Sequence, residues 1–282
     1  MTDRDMQEAA ARLGEEAVFV LSPRRDDCAV RMRYFVPDHE LSICAHDTIG
    51  AVTVLVEEGL LAGEGLPAGE GMLAGEGLLA GEEAVIETEA GPVRVSWSVD
   101  GKGILVRVAQ FEPVFGTIAP DNTALAEALG IGINQLAVSS DMPAECVSTS
   151  RPKLMVPVRD RETLDSLQPD FEKLWNLCDA CGCSGFYVYA RDPEKTDVCY
   201  ARQFPCRSGY PEDPATGIAA SALGAYWIRH QLMPVEEGRN CLHVYQGQAM
   251  GRPSYLEAEM LVRGGEIKEV SVCGYAQREE KK

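Results

Sequence analysis

Apolar and polar residues alternate over much of the chain in short runs rich in Val and aromatic residues. The pattern predicts strands at 17–22, 28–36, 84–89, 93–99, 104–110, 153–158, 185–190, 198–204, 241–246, 255–262 and 269–275. Helices are fewer and better bounded. "PDNTALAEALGI" carries an Asn/Asp cap and a Gly stop, and "PDFEKLWNLCDACG" is framed by Asp170 and Gly182. "PATGIAASALGAYWIRHQ" is a long stretch of small and apolar residues, a further helix covers 3–12, and another begins near Asp47. Many strands with few interspersed helices predict an α+β protein rather than a βαβ-wound sheet. Turn formers in "EPVFGTIAPDN" place the break between two halves at 113–122.

Residues 58–81 interrupt this pattern with four hexads, EGLLAG, EGLPAG, EGMLAG and EGLLAG. A period of six fits neither helix nor strand, and the Gly pairs and Pro67 disfavour a helix. The repeat reads as a looped insertion without chemistry.

"HDTIGAVTVL" and "PATGIAASALG" are two versions of one arrangement: a polar turn, a Thr, a nearby Gly, then a helix of small and apolar residues. Small side chains let a helix run through a crowded centre, and the amides of its first turn are open to an anion. Two lobes whose helix N-termini face one cleft would bind a carboxylate.

Composition narrows the setting. The chain of 282 residues is 45% hydrophobic and 25% charged, as in ordinary globular proteins. It contains no long apolar run, and "MTDRDMQEAA" lacks the centre of a signal peptide, so a cytoplasmic location is expected. A net charge of −18 argues against nucleic acid and anionic membranes as partners. A small carboxylate remains compatible, because a local pocket can override the global field. The ten cysteines read as core residues and free thiols. "LCDACGC" holds a CxxC at Cys178 and Cys181, but the second half of a zinc motif is missing and packing is the preferred reading.

Two thiol mechanisms can be weighed. A two-base racemase needs a second acid before the second helix to face Cys44, and "EDPATGIAA" offers Asp213 there instead of a Cys. A cysteine hydrolase would need His46 to activate Cys44, but with one residue between them the two side chains are expected to point apart. Carboxylate and imidazole acid/base chemistry through Asp213 and His46 is preferred, with N-capping as the structural alternative for Asp213.

"ARQFPCRSGYPEDPATGIAASALGAYW" and "RYFVPDHELSICAHDTIGA" resemble the two hallmark segments of the PhzF-like family, the phenazine-biosynthesis isomerases and their relatives. "RPKLMVPVRDRETLDSLQPDFEKL" and "QGQAMGRPSYL" match its later segments, so the resemblance covers most of the chain. It implies the diaminopimelate epimerase-like fold: two pseudo-symmetric lobes, each a half-barrel of mostly antiparallel strands around a central helix. On that reading residues 1–115 form the N-terminal lobe, with a C-terminal strand at about 268–280 packed on it, and 116–267 the C-terminal lobe. The resemblance also implies a homodimeric isomerase without cofactor or metal. Such an enzyme moves a proton along a small carboxylate by Glu/Asp/His acid/base catalysis, here on a secondary-metabolite substrate.

The family's Glu base maps to Glu16, counted back from Phe19 in "LGEEAVFVL", with Glu15 as the neighbour if a gap falls differently. Its Asp maps to Asp213 and its His to His46. The substrate-binding positions map to Ala45, Asp47, Thr216, Gly217 and Ile218. Glu40 matches a family position that is not the base. Three departures bear on substrate: Ala45 replaces a Gly, Asp47 an Ala, and Ile218 a hydroxyl-bearing Ser. The family's opening strand and Gly-Asn-Pro turn also have no counterpart here. Alternatives are an epimerase or lyase acting on an amino-acid-like substrate, or a degenerate homologue that binds ligand without turnover.

Overall fold

The computed structural model describes residues 1–61, 82–119 and 121–278. The expected insertion at 58–81 lies outside the described residues from 62 onward. The chain forms two compact units, Met1–Ala109 with Cys273–Lys282, and Gln110–Val272.

In the first unit, helix α1 (Asp3–Leu13) is closed at its start by a reciprocal Thr2/Asp5 capping box. It ends at Gly14, whose φ of 71° lets the chain reverse after the last turn. Strands β1 (Ala17–Leu21), β2 (Val30–Phe35) and the short β3 (Glu40–Leu41) follow, then helix α2 (Ala45–Glu57). β4 (Glu82–Thr88), β5 (Gly91–Asp100) and β6 (Gly103–Ala109) complete the unit, with sheet order β1-β2-β4-β5-β6. β2 and β4 run parallel, and β1/β2, β4/β5 and β5/β6 are antiparallel pairs. α2 packs on both β1 and β6, the two ends of this set of strands, so the sheet curls around it.

Alternation in β2 decides which side chains go where. Met32 and Tyr34 are wholly buried on one face, while Phe35 on the other packs with Met6 and Ala10 of α1. Arg31 and Arg33 are buried as well. Arg33 is held by a bidentate bond to Glu40 and by Asp3, and Arg31 bonds Glu89 at 2.6 Å. Glu40 is therefore engaged in an ion pair that ties β3 and α1 to β2.

The second unit contains β7 (Val114–Ile118), α3 (Asn122–Leu129), β8 (Glu145–Ser148), β9 (Lys153–Pro157), α4 (Arg161–Asp165) and α5 (Phe171–Cys181). It continues through β10 (Gly185–Arg191), β11 (Val198–Pro205), α6 (Gly217–Arg229), β12 (Gly238–Gln246), β13 (Ser254–Arg263) and β14 (Glu266–Tyr275). The last residues of β14, from Cys273, belong to the first unit. The strands lie in the order β14-β13-β12-β11-β10-β9-β8-β7. β9/β10 and β11/β12 are parallel pairs.

α6 packs against β12 and β13 toward one end of this array and against β8 and β9 toward the other, so these strands wrap the helix. The small residues of "GIAASALGA" permit that approach. A Cβ on Gly224 would overlap the Met260 sulfur and lie 3.2 Å from the Ala258 Cβ on β13. β10 reads as an unbroken apolar run because both of its faces are covered. Tyr187 and Tyr189 face α6, and Phe186 and Val188 face α3 and α5. Trp227, Tyr226 and Leu223 of α6 are fully buried, each contributing about 1.5–3 kcal/mol.

Candidate active site

Gly14 ends α1 so that Glu16 stands one residue before β1. Cys44 is the N-cap of α2, with extended backbone (φ −136°, ψ 118°), and His46 and Asp47 lie in the first turn. Thr48 ties that turn down. Its hydroxyl lies 2.7 Å from the Tyr34 hydroxyl on β2 and donates to the Cys44 carbonyl, also at 2.7 Å.

These constraints bring four groups together. Nε2 of His46 lies 2.8 Å from Oε2 of Glu16 and 3.5 Å from Oδ1 of Asp47. The Cys44 thiol donates to the same Glu16 oxygen at 3.3 Å and lies 3.3 Å from His46 Nδ1. Thiol and imidazole thus converge, contrary to the expectation that they point apart. The reason is the backbone: an extended cap residue turns its side chain over the first helical turn, where the residue two positions on also projects. Glu15, the alternative to Glu16, is exposed.

The electrostatics differ across the cluster. His46, by hydrogen bond and charge, holds the Glu16 carboxyl below the ordinary glutamate range against the opposing effect of burial. Burial pushes the Cys44 thiol well up, reinforced by the charges of Asp47 and Glu16. Burial also raises the Asp47 carboxyl, and its Oδ2 is buried without a hydrogen-bond partner. Glu16 is therefore held as a carboxylate able to accept a proton, and Cys44 is a protonated donor beside it. The ligand atoms of Glu16, Cys44, His46 and Asp47 all lie within 4.8 Å of one another, a donor set also able to take a divalent ion such as zinc. Ala45 is buried as the first residue of α2.

Asp213, Thr216, Gly217 and Ile218 belong to the other unit. Thr216, rather than Asp213, is the N-cap residue of α6, and it makes no side-chain cap bond. Asp213 instead closes the turn before it, accepting from the Thr216 hydroxyl at 2.6 Å and from the Ala215 amide at 3.2 Å.

Gln246, at the end of β12, is fully buried and went unnoticed in the sequence, where a lone Gln in an alternating strand carries no signal. Its side-chain oxygen accepts from the Tyr187 hydroxyl at 2.9 Å and the Thr216 amide at 3.3 Å. Its nitrogen donates to the Asp213 carbonyl at 2.7 Å and the Thr216 hydroxyl at 3.1 Å. The Thr216 amide, expected to face substrate, is thereby occupied. Ala219 and Ala220 bond the Thr216 carbonyl, which leaves Gly217 and Ile218 as the amides of the first turn to face an anion. Ile218 is half-buried, and its carbonyl accepts from Thr149 at 3.2 Å. Gly247 backs this turn with φ 83°, and a Cβ there would come within 2.9 Å of the Pro214 carbonyl. A cavity of about 480 Å³ lined by Arg191, Arg229 and His230 lies at the opposite end of α6, away from these residues.

Comparison with known proteins agrees with the architecture. The sequence pattern of the family described as phenazine biosynthesis-like protein matches residues 1–281. A protein of Deinococcus radiodurans described as an uncharacterized isomerase is 33% identical over 281 residues, covering 98% of this chain and 83% of that protein. The crystal structure of a PhzF-family phenazine biosynthesis protein from Bacillus anthracis superposes with a TM-score of 0.78 at 25% identity, covering 98% of this chain and 86% of that one. A probable proline racemase from Agrobacterium radiobacter has a similar fold, with a TM-score of 0.58 at 14% identity over 96% of this chain and 78% of its own. Among the described residues no helix is long and apolar enough to cross a membrane. The α+β architecture and the full-length match together show that the chain belongs to the phenazine biosynthesis-like (PhzF) family of isomerase-type enzymes.

Proposed function

We propose that the protein is a proton-shifting isomerase in which Glu16 removes a proton from a carbon adjacent to an activating group of a small carboxylate and returns it at another position. The observation that carries this reading is the 2.8 Å contact between Glu16 and His46. The imidazole favours the carboxylate form of Glu16 before reaction and lies within reach to relay the proton it gains. Cys44 is a reserve proton donor at the same oxygen. Asp213 acts as a second acid/base group, and the Gly217 and Ile218 amides bind the substrate carboxylate or the dienolate that forms as the proton leaves. Ala45 and Asp47, in the first turn of α2, are assigned substrate contacts as well. No step requires a cofactor.

The substrate class is a conjugated amino or alkenyl carboxylic acid of secondary metabolism. Ile218 supports a substrate without a hydroxyl at the contact where the family carries Ser, because an isoleucine side chain offers no hydrogen bond. The active form is proposed as a homodimer in the cytoplasm. A panel of β,γ-unsaturated and dienyl amino acids, followed by proton NMR in heavy water, tests the reading. Migration of a double bond with deuterium uptake supports it. Inversion of a stereocentre without bond migration replaces it with epimerisation.

A further inference from the structure

Hydrogen bonding accounts for three of the four groups around the Glu16 carboxylate but not for the fourth. Glu16 meets His46 at 2.8 Å and the Cys44 thiol at 3.3 Å. Asp47 has its Oδ1 3.5 Å from His46 Nε2, while its Oδ2 is buried with no hydrogen-bond partner. A carboxylate oxygen withdrawn from water costs free energy until a donor or a cation meets it. All four residues belong to the first unit, and the Thr48 hydroxyl, bonded at 2.7 Å to the Cys44 carbonyl, holds the first turn of α2 in place for them.

The spacing is that of a coordination shell. Tetrahedral zinc, at about 2.0–2.1 Å from nitrogen and oxygen and about 2.3 Å from sulfur, separates its ligand atoms by about 3.3–3.6 Å. Here His46 Nε2 lies 2.8 Å from Glu16 Oε2, 3.5 Å from Asp47 Oδ1 and 3.7 Å from Cys44 Sγ, and that sulfur lies 3.3 Å from Oε2. The donor atoms of all four residues fall within 4.8 Å of one another. A sulfur and an imidazole disfavour magnesium and calcium, which prefer oxygen, and select a softer dication. Two carboxylates and a thiolate would outweigh that dication by one negative charge, which the N-terminus of α2 favours. His46 and Glu16, 48% and 31% exposed, leave an ion a way in, and the net charge of −18 raises the local concentration of cations.

We propose that Glu16, Cys44, His46 and Asp47 form a four-ligand zinc site and that zinc bound there switches the enzyme off. The ion is held by the His46 imidazole, one oxygen each of Glu16 and Asp47, and the Cys44 sulfur, whose proton passes to solvent as the metal–sulfur bond forms. Four protein ligands close the shell, and the Glu16 oxygen that would take the substrate proton is bound to the metal instead. The switch rests on the reading of Glu16 as the base; the binding site does not.

The test uses the full-length protein, reduced and stripped of metal, with cobalt(II) and zinc as probes. Cobalt(II) should give the intense visible bands of a tetrahedral ion and a near-ultraviolet thiolate charge-transfer band, both lost on adding zinc. Cys44→Ser should lose the charge-transfer band, and Asp47→Ala should weaken zinc binding by at least about tenfold in competition with a chromogenic chelator. Circular dichroism checks the fold of each variant. Without any variant, one equivalent of zinc should shift the ring-proton NMR signals of His46 and leave those of His230 and His243 in place. A weak, octahedral-type cobalt spectrum, unshifted His46 signals, or a thiolate band that persists in Cys44→Ser and so arises from another of the ten cysteines overturns the site. Zinc should also stop deuterium exchange into substrate, and a chelator should restore it. Exchange that continues with zinc bound at His46 overturns the switch and Glu16 as the base, while the binding site stands.

Discussion

Oε2 of Glu16 accepts from the Cys44 thiol at 3.3 Å while His46 Nε2 approaches the same oxygen to 2.8 Å, so one carboxylate oxygen is the meeting point of β1 and α2. Two elements distant in sequence are brought to this point by Gly14 on one side and by the Tyr34–Thr48–Cys44 hydrogen bonds on the other.

With Glu16 as the proposed base, its depressed pKa should set the acid limb of the reaction. Because His46 favours its ionised form, the carboxylate persists as pH falls through the usual glutamate value of about 4.3. The acid limb of kcat/KM should therefore lie below that value for as long as the protein stays folded. Replacing His46 by Gln should move the limb upward and lower kcat by about 10²- to 10⁴-fold. A pH–rate profile of the two proteins checks both effects.

Asp47 should oppose stability at neutral pH. Its folded-state pKa is raised by burial, so above the unfolded value of about 3.9 the unfolded chain releases this proton more readily than the native one. Stability from this group is full below that pH and declines as pH rises through the folded pKa. Asp47→Asn should raise Tm at pH 7, with the gain shrinking below about pH 4. Calorimetry at the two pH values distinguishes this from a pH-independent packing effect.

Gln246 should act as a positioning residue for the 213–217 turn. Its loss leaves the Tyr187 hydroxyl, the Thr216 amide and the Asp213 carbonyl without their partner. Gln246→Ala should cost about 1–3 kcal/mol for each buried group left unsatisfied, less what water recovers. Urea unfolding measures that loss. KM for a carboxylate substrate should rise and kcat should fall together, since the turn carries Asp213 as well as the Gly217 and Ile218 amides, while Glu16 and His46 are intact.

Ile218→Ser should shift substrate preference. A hydroxyl in place of the apolar side chain supplies a donor at the start of α6, and acids bearing a hydroxyl or amine should gain about tenfold or more in kcat/KM relative to unsubstituted ones. Competition between paired substrates in one reaction mixture gives the ratio directly.

Much of the fold was legible in the sequence because its strands alternate and its helices are capped. The strands read from alternation are all present, and Asp121, Asp170, Gly130 and Gly182 bound α3 and α5 as expected. β7 was missed because Val114–Ile118 is an edge strand, exposed along most of its length, with Pro113 and Gly116 imitating a turn. β3 and α4, with two and five residues, are too short for a period to register. For the site, motif resemblance singled out Glu16 and His46. The convergence of Cys44 on both depends on the backbone angles of one cap residue, and the role of Gln246 depends on strand pairing that brings β12 beside β11. Neither leaves a local trace in sequence.

The central claim is that Glu16 is the base. Its most direct test is deuterium incorporation at the substrate carbon in heavy water, followed by proton NMR for wild type and Glu16→Gln, with unchanged circular dichroism as the folding control. Exchange that falls to background in the variant is the predicted result. Exchange continuing at the wild-type rate would contradict the account.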